Sequence, residues 1–291
     1  MAFDLKVEEI YLNLQSNIRK MKKLQLIVTI TLFFFVLIAN SAFPQNYTPA
    51  HPYSDSKLLQ DFLCSEIIYP EKALQQGKEG KVVISFIVEK DGKVSQVKVK
   101  TSSGPDLDAE ALRLFSLLLW EPAISFGQPV ASENEFPINF NIKKYNKHCR
   151  ARGYTIQDYP YNPVDSSNIV YDYKETDKKP FPVFEDKEMN LATFISRNIK
   201  YPEVAYKQSL SGKVTLEYVV ELHGRVSNIK ALVAVGGGCT QEAIRLLQMI
   251  RWMPGIKNGK AVRTLMKMDI DFKLPDNSDT KMFENTPMNS N

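Results

Sequence analysis

Gly80-Lys81-Val82-Val83-Ile84-Ser85-Phe86-Ile87-Val88-Glu89-Lys90-Asp91-Gly92-Lys93-Val94-Ser95-Gln96-Val97-Lys98-Val99-Lys100 is the stretch that decides the fold. Two runs rich in β-branched residues flank an Asp-Gly pair. That arrangement predicts a β-hairpin, because the tight turn needs a backbone that glycine adopts without a Cβ clash. The second run alternates, with Val94, Val97 or Val99 toward a core and lysines toward water.

The hairpin occurs twice. Phe62–Phe140 aligns with Phe194–Phe272 at a constant shift of 132 residues, without a gap. Phe62, Ile67, Tyr69, Pro70, Glu71 and Ala73 return as Phe194, Ile199, Tyr201, Pro202, Glu203 and Ala205. Gly80-Lys81-Val82 returns as Gly212-Lys213-Val214, and Gly92, Gly104, Arg113, Trp120, Pro122, Gly127, Ile138 and Phe140 also have identical partners. Glycine, proline, aromatic and aliphatic residues are what recur, so a fold was duplicated.

Working outward from the hairpin, Pro70–Gly77 reads as a short helix with Pro at its start and Gly at its end. Asp106–Leu118 reads as an amphipathic helix with acidic residues in its first turn, where the helix dipole favours them. Phe136–Ile142 is a last alternating strand. The second copy repeats the order: a helix at Pro202–Ser209, strands at Lys213–Glu221 and Arg225–Ala234, a helix at Thr240–Ile250, and a strand at Thr264–Lys273. The expected class is α+β: two tandem modules, each a three-stranded antiparallel sheet with two helices on one face.

The chain has 291 residues, 44% hydrophobic and 24% charged, which fits about two globular domains. Its net charge of +4 is too mild to argue for nucleic acid, and part of it sits in Arg19, Lys20, Lys22 and Lys23. Those residues precede the apolar run Leu26–Ile38, and Ala39-Asn40-Ser41-Ala42 follows it. This pattern predicts either a cleaved signal peptide or an uncleaved anchor; both place the rest of the chain across the inner membrane. Cys64, Cys149 and Cys239 share no repeat position and make no disulfide framework.

The division expected is residues 1–20 as an extension or mis-called start, 21–45 as signal or anchor, 46–144 as the first module, 145–185 as linker, 186–275 as the second module and 276–291 as a loose tail. The linker is rich in Tyr, Asp, Asn and Lys and is expected to lie partly on a module. Catalysis finds little footing. His51, His148 and His223 share no repeat position, and Gly236-Gly237-Gly238 lacks the Lys-Ser or Lys-Thr of a phosphate loop. No enzyme activity, cofactor or metal is expected.

The order Tyr-Pro-Glu-x-Ala, Gly-Lys-Val, Asp-Gly-x-Val, Ser102-Ser103-Gly104, helix, Trp120-x-Pro, Gly127-x-Pro-Val and a Phe-rich last strand resembles the C-terminal domain of TonB. The second copy departs from it at Val235–Cys239. The resemblance implies a periplasmic module that touches outer-membrane TonB-dependent transporters, a transporter peptide adding to the edge of its sheet. An ExbB/ExbD-type motor enters only if the apolar segment is uncleaved. The His-free apolar run and the short stretch Asn46–Phe62 argue against autonomous energy transduction.

Strand addition is also the physically sensible activity. Glu135–Lys143 and Thr264–Lys273 are expected to be edge strands with unpaired backbone groups. The candidate peptide-binding residues are Tyr69, Pro70, Phe136, Ile138 and Phe140 in the first copy, and Tyr201, Pro202, Met268, Ile270 and Phe272 in the second. Tyr69-Pro70 and Tyr201-Pro202 serve equally well to set the approach angle of the first helix, and Trp120 and Trp252 read as core anchors. Two modules on a flexible linker would engage two peptides at once. The competing reading is an envelope assembly or signalling protein whose modules pair with each other or, as a homodimer, with another copy.

Overall fold

The computed structural model describes residues 46–153 and 158–274. The apolar run 26–38 and the tail 276–291 lie outside the described residues. Among those described, no helix is long and apolar enough to cross a membrane. In chain order the elements are β1 (Tyr47–Thr48), β2 (His51–Pro52), α1 (Ser56–Glu66), α2 (Glu71–Gln75), β3 (Gly80–Val88), β4 (Val94–Thr101), α3 (Pro105–Ser116), β5 (Trp120–Glu121), β6 (Ala123–Ser125), β7 (Gln128–Val130), β8 (Ser132–Phe140) and α4 (Ile142–Arg152). There follow β9 (Val170–Asp172), a 3-10 turn (Tyr173–Glu175), β10 (Phe181–Val183), α5 (Leu191–Asn198), α6 (Glu203–Lys207), β11 (Gly212–Val220), β12 (Val226–Val233), α7 (Cys239–Met249), β13 (Arg251–Met253), β14 (Gly255–Lys257) and β15 (Lys260–Phe272). The chain divides into two units. The small one holds, of the described residues, 46–48 and 124–129, where Tyr47 pairs with Ser125 and Thr48 with Ile124. The rest of the first repeat and the whole of the second lie in the large one.

The two hairpins form where the Asp-Gly and His-Gly pairs put them. Gly92 and Gly224 sit at φ 81° and 77°. A Cβ would stand 2.7 Å from the Trp120 carbonyl oxygen at Gly92, and 2.1 Å from that of Trp252 at Gly224. Glycine is therefore needed twice over, for the turn and for the close approach. Each hairpin ladder carries two register shifts, the one nearer the turn lying at Gln96 (φ 52°) in the first and at Asn228 (φ 47°) in the second.

The first sheet has the order β4-β3-β8, all antiparallel. Val82, Ile84, Phe86 and Val88 of β3 alternate into a core shared with Leu107, Ala111, Leu114 and Phe115 of α3. Full burial of such side chains is worth about 1.5–3 kcal/mol each. The second sheet is larger: β12-β11-β15-β14, with β9 added parallel to β15. Its core joins Val214, Leu216, Tyr218 and Val220 to Ala243, Leu246 and Leu247 of α7. Trp120 and Trp252 are buried in their respective cores, as core anchors should be.

Three features depart from the expectation. Each module has an additional helix before its Tyr-Pro pair, α1 capped by Asp55 and α5 capped by Asn190. Helix α4 occupies the start of the expected linker, held between the Asn141 cap and Gly153 in the left-handed region, so β8 ends at Phe140 and not at Lys143. The linker also supplies β9, and Ala261 N–H donates to the Pro163 carbonyl at 2.8 Å.

The modules are not loosely tethered either. Beyond the core face of β11, the opposite face is also buried at Glu217, Val219 and Glu221. Residues of the first module cover it. Arg263, 2% exposed, donates through Nε and Nη2 to Glu221 at 2.7 Å each, through Nη2 to the Leu117 carbonyl at 2.8 Å, and through Nη1 to the Asn168 carbonyl at 2.9 Å. Asn228 accepts from Leu119 N–H at 2.9 Å and donates to the Leu117 carbonyl at 3.0 Å. Tyr53 hydroxyl bonds Glu217, Lys230 pairs with Glu121, and His223 Nε2 lies 2.9 Å from Glu66 Oε1. A buried guanidinium needs these partners, since an unpaired charge in the interior is costly.

Candidate functional site

Two strand margins are the structure's open backbone surfaces next to the predicted residues. β8 is an edge strand along its whole length, paired only with β3 among the described residues. Its residues alternate. Ile138 and Phe140 are buried and Phe136 half-buried on the helix side, while Glu133, Glu135, Pro137 and Asn139 are exposed on the other. Pro137 stands opposite Val83. Proline has no N–H to give to a ladder, so it sits where the strand turns its backbone groups away from the neighbour. By the alternation of antiparallel pairing, Glu133, Glu135 and Asn139 also turn their N–H and C=O outward. The margin therefore offers three donors with a gap at Pro137.

The second margin is partly taken. β9 pairs with Arg263, Thr264 and Leu265 of β15, which corrects the expectation that Thr264–Lys273 is bare throughout. The rest, Met266–Phe272, is paired only with β11 among the described residues. Asp269 stands where the first module has Pro137, so no donor is missing there. The Thr215 hydroxyl and Lys213 hold the Asp269 carboxyl below its ordinary range.

The predicted residues divide by role. Phe136, Ile138, Phe140, Met268, Ile270 and Phe272 lie on the two margin strands, but their side chains point to the helix side and all except half-buried Phe136 are buried. Their backbones, not their side chains, are at the margin. Tyr69 is buried, with its ring edge-on to Phe140 at 5.8 Å, and its hydroxyl donates to the Lys78 carbonyl. Tyr201 makes the equivalent bond to the Leu210 carbonyl. Pro70 and Pro202 are the N-caps of α2 and α6. The tyrosine-proline pairs thus fix the short helix against the hairpin strand in both copies.

A constellation that the sequence reading missed is also duplicated. Glu110 accepts from Ile68 N–H at 2.8 Å and is bound by Arg113, which reaches the Glu66 carbonyl at 2.7 Å. Glu242 accepts from Lys200 N–H at 2.6 Å and is bound by Arg245, which reaches the Asn198 carbonyl at 2.7 Å. Burial pushes the Glu242 carboxyl up, but the Arg245 guanidinium and the Lys200 N–H outweigh it, and the net displacement is downward. The signal was present: Glu110 and Glu242 are identical at the 132-residue shift that already aligned the two arginines.

Among the described residues no group of three or more His, Cys, Asp or Glu is placed to hold a metal ion. All three cysteines are free thiols.

The family model described as Gram-negative bacterial TonB protein C-terminal matches residues 65–142 and 197–274, together just over half of the chain. Among solved structures, the NMR solution structure of the TonB-CTD of Helicobacter pylori is 27% identical over 29% of this chain and 78% of that one, with a TM-score of 0.23. No curated protein sequence matches. Both matched segments begin just ahead of a Tyr-Pro pair and run through the last strand of a repeat. The chain belongs to the family of Gram-negative bacterial TonB protein C-terminal domains, and carries that domain twice.

Proposed function

We propose that this protein acts in the periplasm by binding N-terminal peptides of outer-membrane TonB-dependent transporters through strand addition, in support of transport, with no catalysis of its own. One observation carries the reading: the outer margin of β8 is unpaired over Ser132–Phe140 among the described residues. A backbone added there forms about four hydrogen bonds of ~1 kcal/mol each. Association costs an estimated 4–15 kcal/mol, so backbone pairing alone gives weak, reversible binding. Weak binding suits a protein that must let go of a transporter.

Glu135→Pro tests the reading. Like Pro137, a proline there removes an outward N–H and leaves the β3–β8 ladder intact. One lost bond of ~1 kcal/mol weakens a labelled transporter peptide about fivefold. The reverse change, Pro137→Thr, restores a donor and tightens binding by a similar factor. Unchanged affinity in both variants, or no saturable binding of any peptide in a transporter panel, rejects strand addition at β8.

The second reading, an assembly protein, gains from the docking of the two modules through Arg263 and Glu221. That docking uses the face of the second sheet and leaves both strand margins outside it. Sedimentation showing a stable dimer in which the β8 amides are protected from exchange would favour the assembly reading.

A further inference from the structure

Beside the margin of β8 runs a groove of about 130 Å³, with Pro137, Ile138 and Asn139 along its floor. Leu63 and Ile67 form one wall, from α1 and the residues after it, and Tyr145 of α4 forms the other. The size suits one side chain, since an apolar cavity of ~150 Å³ accepts a benzene ring. We infer that this groove is a side-chain pocket that selects one leucine- or phenyl-sized residue, with a carboxylate beside it, in an extended peptide added to β8. The inference rests on strand addition at β8 and names what the added strand must contain.

Three observations carry it. First, groove and margin share the same residues of β8. A peptide residue directly opposite Ile138 has its side chain on the Ile138 side of the sheet, which is the groove side. Second, the backbone margin is weakest here, because Pro137 lacks its donor, so a side-chain contact is what holds an added strand at this level. Third, the lining carries a cation: Lys144 is among it, and no carboxylate is among the lining side chains. An acidic residue two positions from the apolar one, on the same face, is the complement.

The walls are fixed in advance, which lowers the ordering cost of binding. Arg152 at the end of α4 donates to the Ser65 carbonyl at 2.6 Å and to the Ile67 carbonyl at 3.2 Å. Its guanidinium lies 5.8 Å from the centre of the Tyr145 ring, and that ring packs 5.3 Å from Tyr69. Helix α4 is thereby fastened across the end of α1.

The test is fluorescence anisotropy on the full chain with short labelled transporter peptides whose central residue is Leu or Ala and whose neighbour on the same face is Asp or Lys. The Leu peptide is expected to bind about tenfold more tightly than the Ala peptide. Cys64→Phe, which fills the groove from α1, erases that difference. His148→Trp fills it from α4 and gives the same result should Cys64→Phe fail a circular-dichroism check of folding. Lys144→Glu reverses the preference for Asp over Lys. Glu135→Pro weakens every peptide alike. Equal binding of Leu and Ala peptides, with Glu135→Pro still weakening both, overturns the pocket and leaves strand addition standing. If no peptide binds, strand addition falls and the pocket with it.

Discussion

Arg263→Met should uncouple the two modules. The guanidinium is 2% exposed and Glu221 is 3% exposed, and their paired bonds are both 2.7 Å. Removing the arginine leaves a buried carboxylate whose remaining partner among the described residues is the Ser227 hydroxyl. Breaking one side of such a pair costs about 3–5 kcal/mol. The Leu117 carbonyl keeps its bond from Asn228 at 3.0 Å, so little is added there. At about 2–4 °C per kcal/mol for a chain of this size, the melting point falls by roughly 6–20 °C. Each module holds one tryptophan, Trp120 or Trp252, so Trp252→Phe and Trp120→Phe backgrounds report the modules separately. In urea titrations the two reporters should coincide with Arg263 present and separate in Arg263→Met. Replacing both partners by apolar residues, Glu221→Leu with Arg263→Met, should recover most of the loss, because no lone charge is left buried. Coincident transitions in Arg263→Met, with a loss under ~1 kcal/mol, would refute the claim that this pair couples the modules.

Two further outcomes follow from the duplicated parts. Glu242 has a depressed pKa in the folded state, so its unfolded form takes up a proton first as acid is added. Its contribution is present above the ordinary carboxylate value of ~4.3 and is lost as pH falls from there through the lower folded value. Urea midpoints of wild type and Glu242→Gln should differ at neutral pH and converge as pH falls below ~4.3; parallel curves would exclude the linkage. Gly224→Ala should cost more than Gly92→Ala, because its Cβ would meet the Trp252 carbonyl oxygen at 2.1 Å against 2.7 Å for Trp120. Gly77→Ala, with φ 63° and nothing within 4 Å, isolates the backbone share of ~1–2 kcal/mol; equal thermal shifts in all three would remove the steric argument.

How much was legible depended on whether a feature is periodic. The hairpins, α3 and β8 were readable because alternation and the Gly-turn signal repeat at a fixed spacing. Helix α1 was not: it ends at Glu66, three residues ahead of Tyr69, and more than half of it precedes Phe62, where the alignment of the two copies begins. Helix α4 buries only Tyr145 and carries lysines and arginines along most of its length, so its composition reads as linker. The cover over β15 was illegible for another reason. A three-residue strand such as β9 is defined by its partner, and its partner lies some ninety residues away, with Arg263 pairing at Val170.

The two copies diverge where their surroundings diverge. The Ser–Glu bond at the hairpin exists in both, Ser95 to Glu89 and Ser227 to Glu221. Only the second copy adds a guanidinium to it, for Arg263 has Ala131 as its counterpart. With Glu217, His223 and Asn228, where the first copy has Ser85, Asp91 and Gln96, it makes this sheet face a docking face: Ile87 is half-buried, whereas Val219 at the equivalent place is fully buried. The second copy also has β9 along part of its margin, while among the described residues the first margin is paired only with β3 and has a groove beside it. Duplication has thus produced unlike halves. The second module is held against the first through a buried sheet face, so removing it should lower the stability of the first, read as a lower urea midpoint of the Trp120 fluorescence.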